Sequence, residues 1–202
     1  MRVMQCIAGA KHGGAEAFFT RLVLALHRAG LDQRVVLRAN PSREKQLTNG
    51  GVATQTVAFG GKLDISTRLK LRRQIARYKP QVVLSWMSRA AAFCPPPRGR
   101  FVHCGRLGGY YDLKYYHACD HLIGNTRGIV HYLVDRGWPE ARVHYLPNFV
   151  SAGAVDPVPR RNLSTPDDCA VILALGRLHQ NKAFDILIDA LRRLPDVYLW
   201  LA

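Results

Sequence analysis

Short apolar runs rich in Val, Ile and Leu alternate along this chain with longer amphipathic stretches. Runs of this kind are typical of strands that are buried on both faces of a parallel sheet. The runs predicted as strands are residues 2–8, 33–38, 54–59, 81–86, 101–104, 121–124, 142–146, 170–175 and 197–201.

The amphipathic stretches have helical spacing. They predict helices over residues 15–29, 66–78, 126–136 and 184–194. The first helix has an apolar stripe formed by Phe18, Leu22, Ala25 and Leu26. Gly30 follows this stripe and is expected to end the helix. Regular alternation of strands with helices favours a doubly wound α/β sheet.

Capping residues mark two of the predicted helices. Ser66 is expected to cap the second helix, whose apolar side is assigned to Leu69, Ile75 and Ala76. Thr126 is expected to cap the third helix.

A proline-rich segment, residues 148–166, has no apolar period and indicates a domain boundary. The prediction is a first domain over residues 1–150 and a linker over residues 151–166. A second domain begins at residue 167 and runs to residue 202.

The composition is that of a globular protein of the cytoplasm. Of the 202 residues 48% are apolar, yet no apolar run approaches the roughly 18 residues of a transmembrane helix. The N-terminus turns polar too early for a secretory signal. The five cysteines are scattered and form no CxxC pair, which favours free thiols in a reducing compartment.

The net charge of +15 is unevenly distributed. Residues 1–150 hold 23 Lys and Arg against 8 Asp and Glu, whereas residues 151–202 hold 6 of each kind. A basic domain can bind nucleic acid, an anionic membrane or phosphorylated substrates. An Arg-rich composition without a binding role is the alternative. Helix-turn-helix, zinc-finger and RNP patterns are missing, so no nucleic-acid partner is expected.

The stretch GAKHGGAEAFF, residues 9–19, joins the first predicted strand to the first helix. Gly13 and Gly14 expose backbone N–H groups at a helix N-terminus, which suits an oxyanion or a phosphate. Glu16 can cap the first turn or bind a hydroxyl group. A plain strand–helix turn is the alternative, because the dinucleotide pattern GxGxxG is absent.

A second loop, GRLHQNK at residues 176–182, follows the strand predicted over residues 170–175. Gly176 lets a ligand approach the backbone. Arg177 and Lys182 can hold phosphate oxygens, the first as a planar fork and the second as a point charge. Open α/β sheets bind ligands beyond the carboxyl ends of their strands. Two solvated cations in a surface loop are the alternative.

Three stretches together resemble the retaining glycosyltransferases of family 4, which have the GT-B fold. They are GGAE at residues 13–16, HLIGNTRGIVHYLVDRGWPEARVHYLPNFV at residues 121–150 and GRLHQNKAFDILIDAL at residues 176–191. The third resembles the family's donor motif, GRLxxxKGxDxLIxA. The resemblance implies two Rossmann-like domains, of which the first binds the acceptor and the second binds a nucleotide-sugar.

The resemblance also implies roles for single residues. Arg177 and Lys182 would grip the donor diphosphate, and the amides of Gly13 and Gly14 would lie near the same phosphates. His103 would contact the transferred sugar, with a hydrogen-bonded core histidine as the alternative.

Acceptor-binding residues are expected at Glu16, Arg106 and Asn148. The sequence has no DxD triplet, and its histidines lack ligand spacing. No metal and no cofactor are therefore expected beyond the nucleoside-diphosphate sugar as co-substrate.

The chain departs from the family pattern at three places. Ala183 and Phe149 stand where the motifs have glycine, and the family's E(P/G)FGxxxxE loop is missing. The expectation is a C-terminally truncated or partial transferase with little or no activity of its own.

The expected reaction moves a sugar from a nucleotide-sugar to a lipid-linked or cell-envelope saccharide such as lipopolysaccharide, with retention and without a metal. The basic segment 66–79 predicts peripheral binding to the inner face of the cytoplasmic membrane. The alternatives are a nucleotide-sugar epimerase and a non-catalytic basic module that binds an anionic membrane or nucleic acid.

Overall fold

The computed structural model describes residues 1–61, 63–150, 153, 155–194 and 196–202. These residues form two compact units, Met1–Val150 and Ser151–Ala202. The linker predicted over residues 151–166 includes Ser151, Ala152 and Ala154, which lie outside the described residues.

The first unit is built on a seven-stranded sheet in which every pair of neighbouring strands is parallel. The strands are β1 (Arg2–Ile7), β2 (Asp32–Arg38), β3 (Ala53–Val57), β4 (Val82–Trp86), β5 (Val102–Leu107), β6 (His121–Gly124) and β7 (Val143–Tyr145). Their order is β3-β2-β1-β4-β5-β6-β7. This arrangement confirms the predicted doubly wound α/β sheet.

Helices connect these strands. They are α1 (Gly14–Arg28), α2 (Pro41–Asn49), α3 (Ile65–Tyr78), α4 (Met87–Phe93) and α5 (Arg127–Asp135). Short 3-10 turns at Leu113–Tyr115 and Glu140–Arg142 complete the connections.

Two of the three apolar clusters formed by the described residues contain side chains from opposite faces of β1. Alternate side chains of a strand point to opposite faces, so Met4 and Ile7 of β1 belong to different clusters. One cluster takes Leu71 and Ile75 from α3, and the other takes Phe19 from α1. Strands buried on both faces explain why the apolar runs in the sequence are nearly continuous.

The predicted caps have different outcomes. Thr126 caps α5 as predicted, because its Oγ1 accepts a hydrogen bond from the Ile129 amide at 3.2 Å. The cap of α3 is Asp64, whose Oδ1 accepts from the Thr67 amide at 2.9 Å. The prediction of Ser66 was wrong, since its hydroxyl donates to Asp64 instead.

The apolar side of α3 also differs from the prediction. Leu71, Ile75 and Tyr78 are buried, whereas Leu69 is 46% exposed and Ala76 is exposed. The buried residues follow the spacing of one helix face, which leaves Leu69 among the cations of the outer face.

Two helices were not predicted. The sequence of α2, PSREKQLTN, is almost wholly polar and buries only Arg43 and Leu47. Helix α4 follows β4 without a loop, at a residue, Met87, with φ of +62°. Helix α2 lacks the apolar periodicity by which a helix is predicted. In α4 the apolar residues follow those of β4 directly, so the helix cannot be separated from the strand in the sequence.

The second unit contains one βαβ element. Strand β8 (Ala170–Ala174) pairs in parallel with β9 (Val197–Leu201), and helix α6 (Phe184–Leu191) lies between them in sequence. A 3-10 turn at Arg160–Leu163 precedes β8. The predicted βαβ beginning of a second Rossmann-like sheet is thereby confirmed.

Ala183 directly precedes α6 as its N-cap, with φ of +52° in the left-handed region. This is the position where the resembling motif has glycine. A side chain with a Cβ atom is disfavoured in this region by about 1–2 kcal/mol, so the chain carries local strain before α6.

We predict that Ala183→Gly stabilises the second unit by about 0.5–1 kcal/mol, because relief of the strain exceeds the extra entropy of an unfolded glycine. The measurement is native-state hydrogen exchange of the amides in β8 and β9. Ala190→Gly, inside α6, is the matched control and should speed exchange. Faster exchange in both variants would contradict the prediction.

Candidate functional site

The strand order of the first sheet defines a crevice. The chain runs outward from β1 to β3 and then returns to place β4 beside β1. In open α/β sheets, ligands bind beyond the carboxyl ends of the strands at such a switch point. The carboxyl ends of β1, β4 and β5 therefore mark the candidate site of the first unit.

Glu16 organises the loop between β1 and α1. Its side chain is buried, and Oε1 accepts a hydrogen bond from the Ala10 amide at 2.7 Å. A Cβ atom on Gly9 would lie 2.6 Å from Glu16 Cγ, and one on Gly13 would overlap the carboxylate. Both glycines are therefore needed for the close approach of Glu16, whereas a Cβ on Gly14 would meet no described atom within 4 Å.

Arg43 and Asn40 hold the same loop from the other side. Arg43 Nη2 donates to the Ala10 carbonyl at 3.0 Å, and Asn40 Nδ2 donates to the Lys11 carbonyl at 3.0 Å. Burial lowers the pKa of Arg43, and the Glu16 carboxylate opposes that shift. Sequence reasoning missed these residues because it missed α2, on which Arg43 lies.

Arg106 lies at the carboxyl end of β5 and is 2% exposed. Its Cζ is 4.7 Å from the ring centroids of both Phe18 and Trp86. Its Nη2 donates to the Leu146 carbonyl at 3.1 Å and to Asn148 Oδ1 at 2.8 Å. Burial lowers the pKa of Arg106 to about 10.

The charge of Arg106 has no carboxylate partner among the described residues, and its buried Nε lacks a described hydrogen-bond partner. Two aromatic faces and two oxygen acceptors stabilise the cation instead. The arrangement fastens the segment after β7 to the crevice, where Phe149 also packs edge-on against Phe18 at 4.9 Å.

Tyrosines border the crevice beyond β5. Tyr132 Oη donates to the Tyr111 carbonyl at 3.0 Å, and the Tyr110 and Tyr132 rings meet edge-on at 5.3 Å. Burial, followed by the Glu16 carboxylate, raises the pKa of Tyr111. Tyr110 remains 68% exposed, so an aromatic surface is open beside the crevice.

His103 lies elsewhere. It is the second residue of β5, so its predicted position at the end of the strand was wrong. The imidazole is fully buried; Nε2 lies 2.9 Å from Ser85 Oγ, and Nδ1 lies 2.9 Å from the Ala118 carbonyl. Burial lowers its pKa. These contacts describe a hydrogen-bonded core histidine, which is the alternative that the sequence left open.

The second unit holds the remaining predicted residues. Gly176, Arg177 and Lys182 follow β8, and the two cations are exposed. A Cβ on Gly176 would lie 3.4 Å from Lys182 Cδ and 3.2 Å from the Phe184 ring. The stem of Lys182 therefore packs beside Gly176, in the loop that also carries Arg177.

The predicted residues thus fall into three groups. Gly13, Gly14, Glu16, Arg106 and Asn148 lie at the carboxyl edge of the first sheet, as do the unpredicted Arg43 and Asn40. Gly176, Arg177 and Lys182 share one loop of the second unit, and His103 lies at the opposite end of β5. In the described ranges, no group of three or more His, Cys, Asp or Glu side chains is placed to hold a metal ion.

Residues 12–153 match the family profile described as Glycosyltransferase Family 4. The lipopolysaccharide core biosynthesis glycosyltransferase LpsE of Rhizobium meliloti is 36% identical over 193 residues. That alignment covers 95% of this chain and 56% of LpsE. LpsD of the same organism is 34% identical, with 100% of this chain and 58% of LpsD covered. The chain thus spans little more than half the length of these relatives.

Solved structures share the fold. Anabaena HepE in complex with UDP and glucose matches with a TM-score of 0.76 and 17% identity, over 100% of this chain and 60% of HepE. The lipopolysaccharide outer core galactosyltransferase WaaB in its apo form matches with a TM-score of 0.73 and 17% identity, with the same coverage. These likenesses confirm the predicted GT-B fold class.

The contact between Gly13 and Glu16 generates a prediction. Gly13→Ala should lower the free energy of unfolding by about 1–3 kcal/mol, because the added methyl group must displace a buried carboxylate. Gly14→Ala should change it by less than about 0.5 kcal/mol, because its Cβ enters open space. Urea unfolding of both variants is the measurement.

A double-mutant cycle isolates the contact. In a Glu16→Ala background the cost of Gly13→Ala should disappear. A cost that persists in that background would show that Gly13 is needed for another reason.

Proposed function

This chain belongs to glycosyltransferase family 4, and from that membership we propose that its two units act in the transfer of a sugar from a nucleotide-sugar to a saccharide acceptor. The observation that carries the proposal is the 36% identity to LpsE along 95% of this chain. LpsE and LpsD are both named for lipopolysaccharide core biosynthesis. A core saccharide of the cell envelope, built on the cytoplasmic side of the membrane, is therefore the proposed class of acceptor.

The proposed acceptor side is the crevice at the carboxyl edge of the first sheet. Glu16 would act by holding the loop before α1, since its Oε1 is already bonded to the Ala10 amide. Arg106 would act by fastening the segment at Asn148, whose side chain is exposed at the crevice. The tyrosines beyond β5 offer faces on which sugar rings pack.

The proposed donor side is the loop after β8. Arg177 and Lys182 would hold the diphosphate and stabilise the charge that develops as the nucleoside diphosphate departs. Two cations supply in this way the electrostatic role that a divalent metal has in other transferases. Metal independence and retention of configuration are thus parts of the proposal.

Gly13 and Gly14 would offer backbone amides to a phosphate group in the first unit. The N-terminus of a 15-residue helix favours an anion, and Gly13 makes no side-chain cap contact there. His103 is left out of the proposed machinery because both of its ring nitrogens have partners in the core.

The donor assignment is tested with UDP, the nucleotide bound to HepE. Arg177→Ala and Lys182→Ala should each weaken UDP binding about tenfold or more, since a charge-assisted hydrogen bond contributes about 1.5–3 kcal/mol. Calorimetric titration of the purified chain measures the dissociation constants.

Arg193→Ala is the matched control, because Arg193 is an exposed cation of the same unit beyond α6. Its UDP affinity should stay within about twofold of the unaltered chain. Equal losses in all three variants, or no UDP binding by the unaltered chain, would count against the donor assignment.

We also propose that α3 binds an anionic membrane surface. Its outer face carries Arg68, Lys70, Arg72, Arg73 and Arg77, all of them exposed. Ile65 and Leu69 are 65% and 46% exposed on the same helix. Cations interleaved with exposed apolar side chains suit the interface of a bilayer. Among the described residues no helix is long and apolar enough to cross a membrane.

Vesicle flotation tests this second proposal. The chain should float with vesicles that contain phosphatidylglycerol and should remain behind with pure phosphatidylcholine. Each cation near an anionic surface contributes about 1 kcal/mol, so Arg72→Glu with Arg73→Glu should reduce binding at least about tenfold. The same charge change at Arg192 and Arg193 is the control. An equal loss of vesicle binding in the control would contradict a specific role of α3, because total charge alone would then explain the loss.

A further inference from the structure

A cavity of about 910 Å³ lies at the amino edge of the first sheet, away from the crevice described above. It lies between the C-terminal half of α3 and the loop that precedes β5. The proposed sugar transfer does not use this cavity, although Arg72 and Arg73 of its lining also belong to the α3 face proposed to bind a membrane.

The cavity is strongly cationic. Its lining includes Arg72, Arg73, Lys79, Arg98 and Arg100 and no Asp or Glu among the described residues. The described ion pairs, Lys114–Asp112 and Arg192–Asp189, involve none of these five. Five like charges around one space repel each other, and a bound anion would relieve that repulsion.

The floor of the cavity is apolar. Ile75 and Phe101 are each 8% exposed, and Pro80 is also buried. Pro95 and Pro96 line the space as well. Cations around an apolar floor fit a ligand with an anionic group and a carbon body.

The backbone that carries the cations is fixed by local contacts. Lys79 ends α3 in the left-handed region with φ of +48°, and its carbonyl accepts a hydrogen bond from Arg2 Nε at 3.0 Å. Arg98 also has φ of +48°, and the Arg100 amide bonds to the Pro97 carbonyl at 3.0 Å. A preformed backbone reduces the ordering cost of binding.

We propose that this cavity is a binding site for a phosphate ester. Arginine guanidinium groups match phosphate oxygens in paired hydrogen bonds, and four of the five cations are arginines. The cations surround one cavity instead of following a line, which favours a single phosphate group over the backbone of a nucleic acid. A lipid headgroup and a soluble phosphate ester share this chemistry.

The experiment uses three soluble probes below any micelle concentration: glycerol 3-phosphate, dihexanoyl phosphatidylglycerol and dihexanoyl phosphatidylcholine. Binding is followed by calorimetry and by the NMR shifts of amides in residues 98–101. The unaltered chain should bind one or both of the first two probes more tightly than the zwitterionic third. Binding of both identifies the phosphate itself as the determinant, and binding of the lipid alone identifies a headgroup site that needs the apolar floor.

Variants locate the site. Arg98→Glu with Arg100→Glu should weaken binding at least about tenfold. Arg28→Glu with Lys45→Glu changes the charge equally without altering a residue of α3 or of the cavity lining, and it should change affinity less than about threefold. All four side chains are exposed, so both variants should keep the thermal midpoint of the unaltered chain.

Three results would overturn the proposal. They are no binding of either anionic probe, equal losses in the two double variants, and equally tight binding of a short DNA duplex at the same salt concentration. Vesicle binding through α3 and UDP binding in the second unit are measured separately, so failure of either leaves this test intact.

Discussion

The backbone of Ala10 is the point on which the candidate crevice depends. Glu16 accepts a hydrogen bond from its N–H and Arg43 donates one to its C=O, so two buried groups of opposite charge hold the two peptide groups that flank Ala10. The Glu16 side chain reaches that position only because Gly9 and Gly13 lack a Cβ. The loop before α1 is consequently set before any ligand arrives, and a ligand need not supply the free energy of ordering it.

Arg106 fixes the other side of the crevice, which is formed by the segment after β7. A buried guanidinium without a carboxylate is costly. Here Phe18 and Trp86 face it, and the Leu146 carbonyl and the Asn148 side chain accept its hydrogen bonds. Phe18 belongs to α1, so one helix supports both walls. Loop, helix and exit segment are therefore linked through α1.

The sheet could be predicted from sequence because strands buried on both faces leave long apolar runs, and β6 and β9 match the predicted ranges residue for residue. The GGAE and GRLHQNK loops could be located because the residues of each motif lie close together in the sequence. Arg43 could not, since its partner lies 33 residues away and α2 has no apolar period. His103 was wrongly predicted to end its strand. The strand was predicted to stop at Cys104, but β5 continues for three more residues to Leu107.

In a parallel sheet all amino ends of the strands lie at one edge and all carboxyl ends at the other, so the two edges differ chemically. The length of the strands separates these edges. The six residues of β1 span about 20 Å, which is beyond the range at which two substitutions usually interact. The basic cavity and the crevice lie at these two edges. Changes at one edge should therefore leave affinities at the other unaltered, so a single sheet can carry two recognition surfaces that evolve independently.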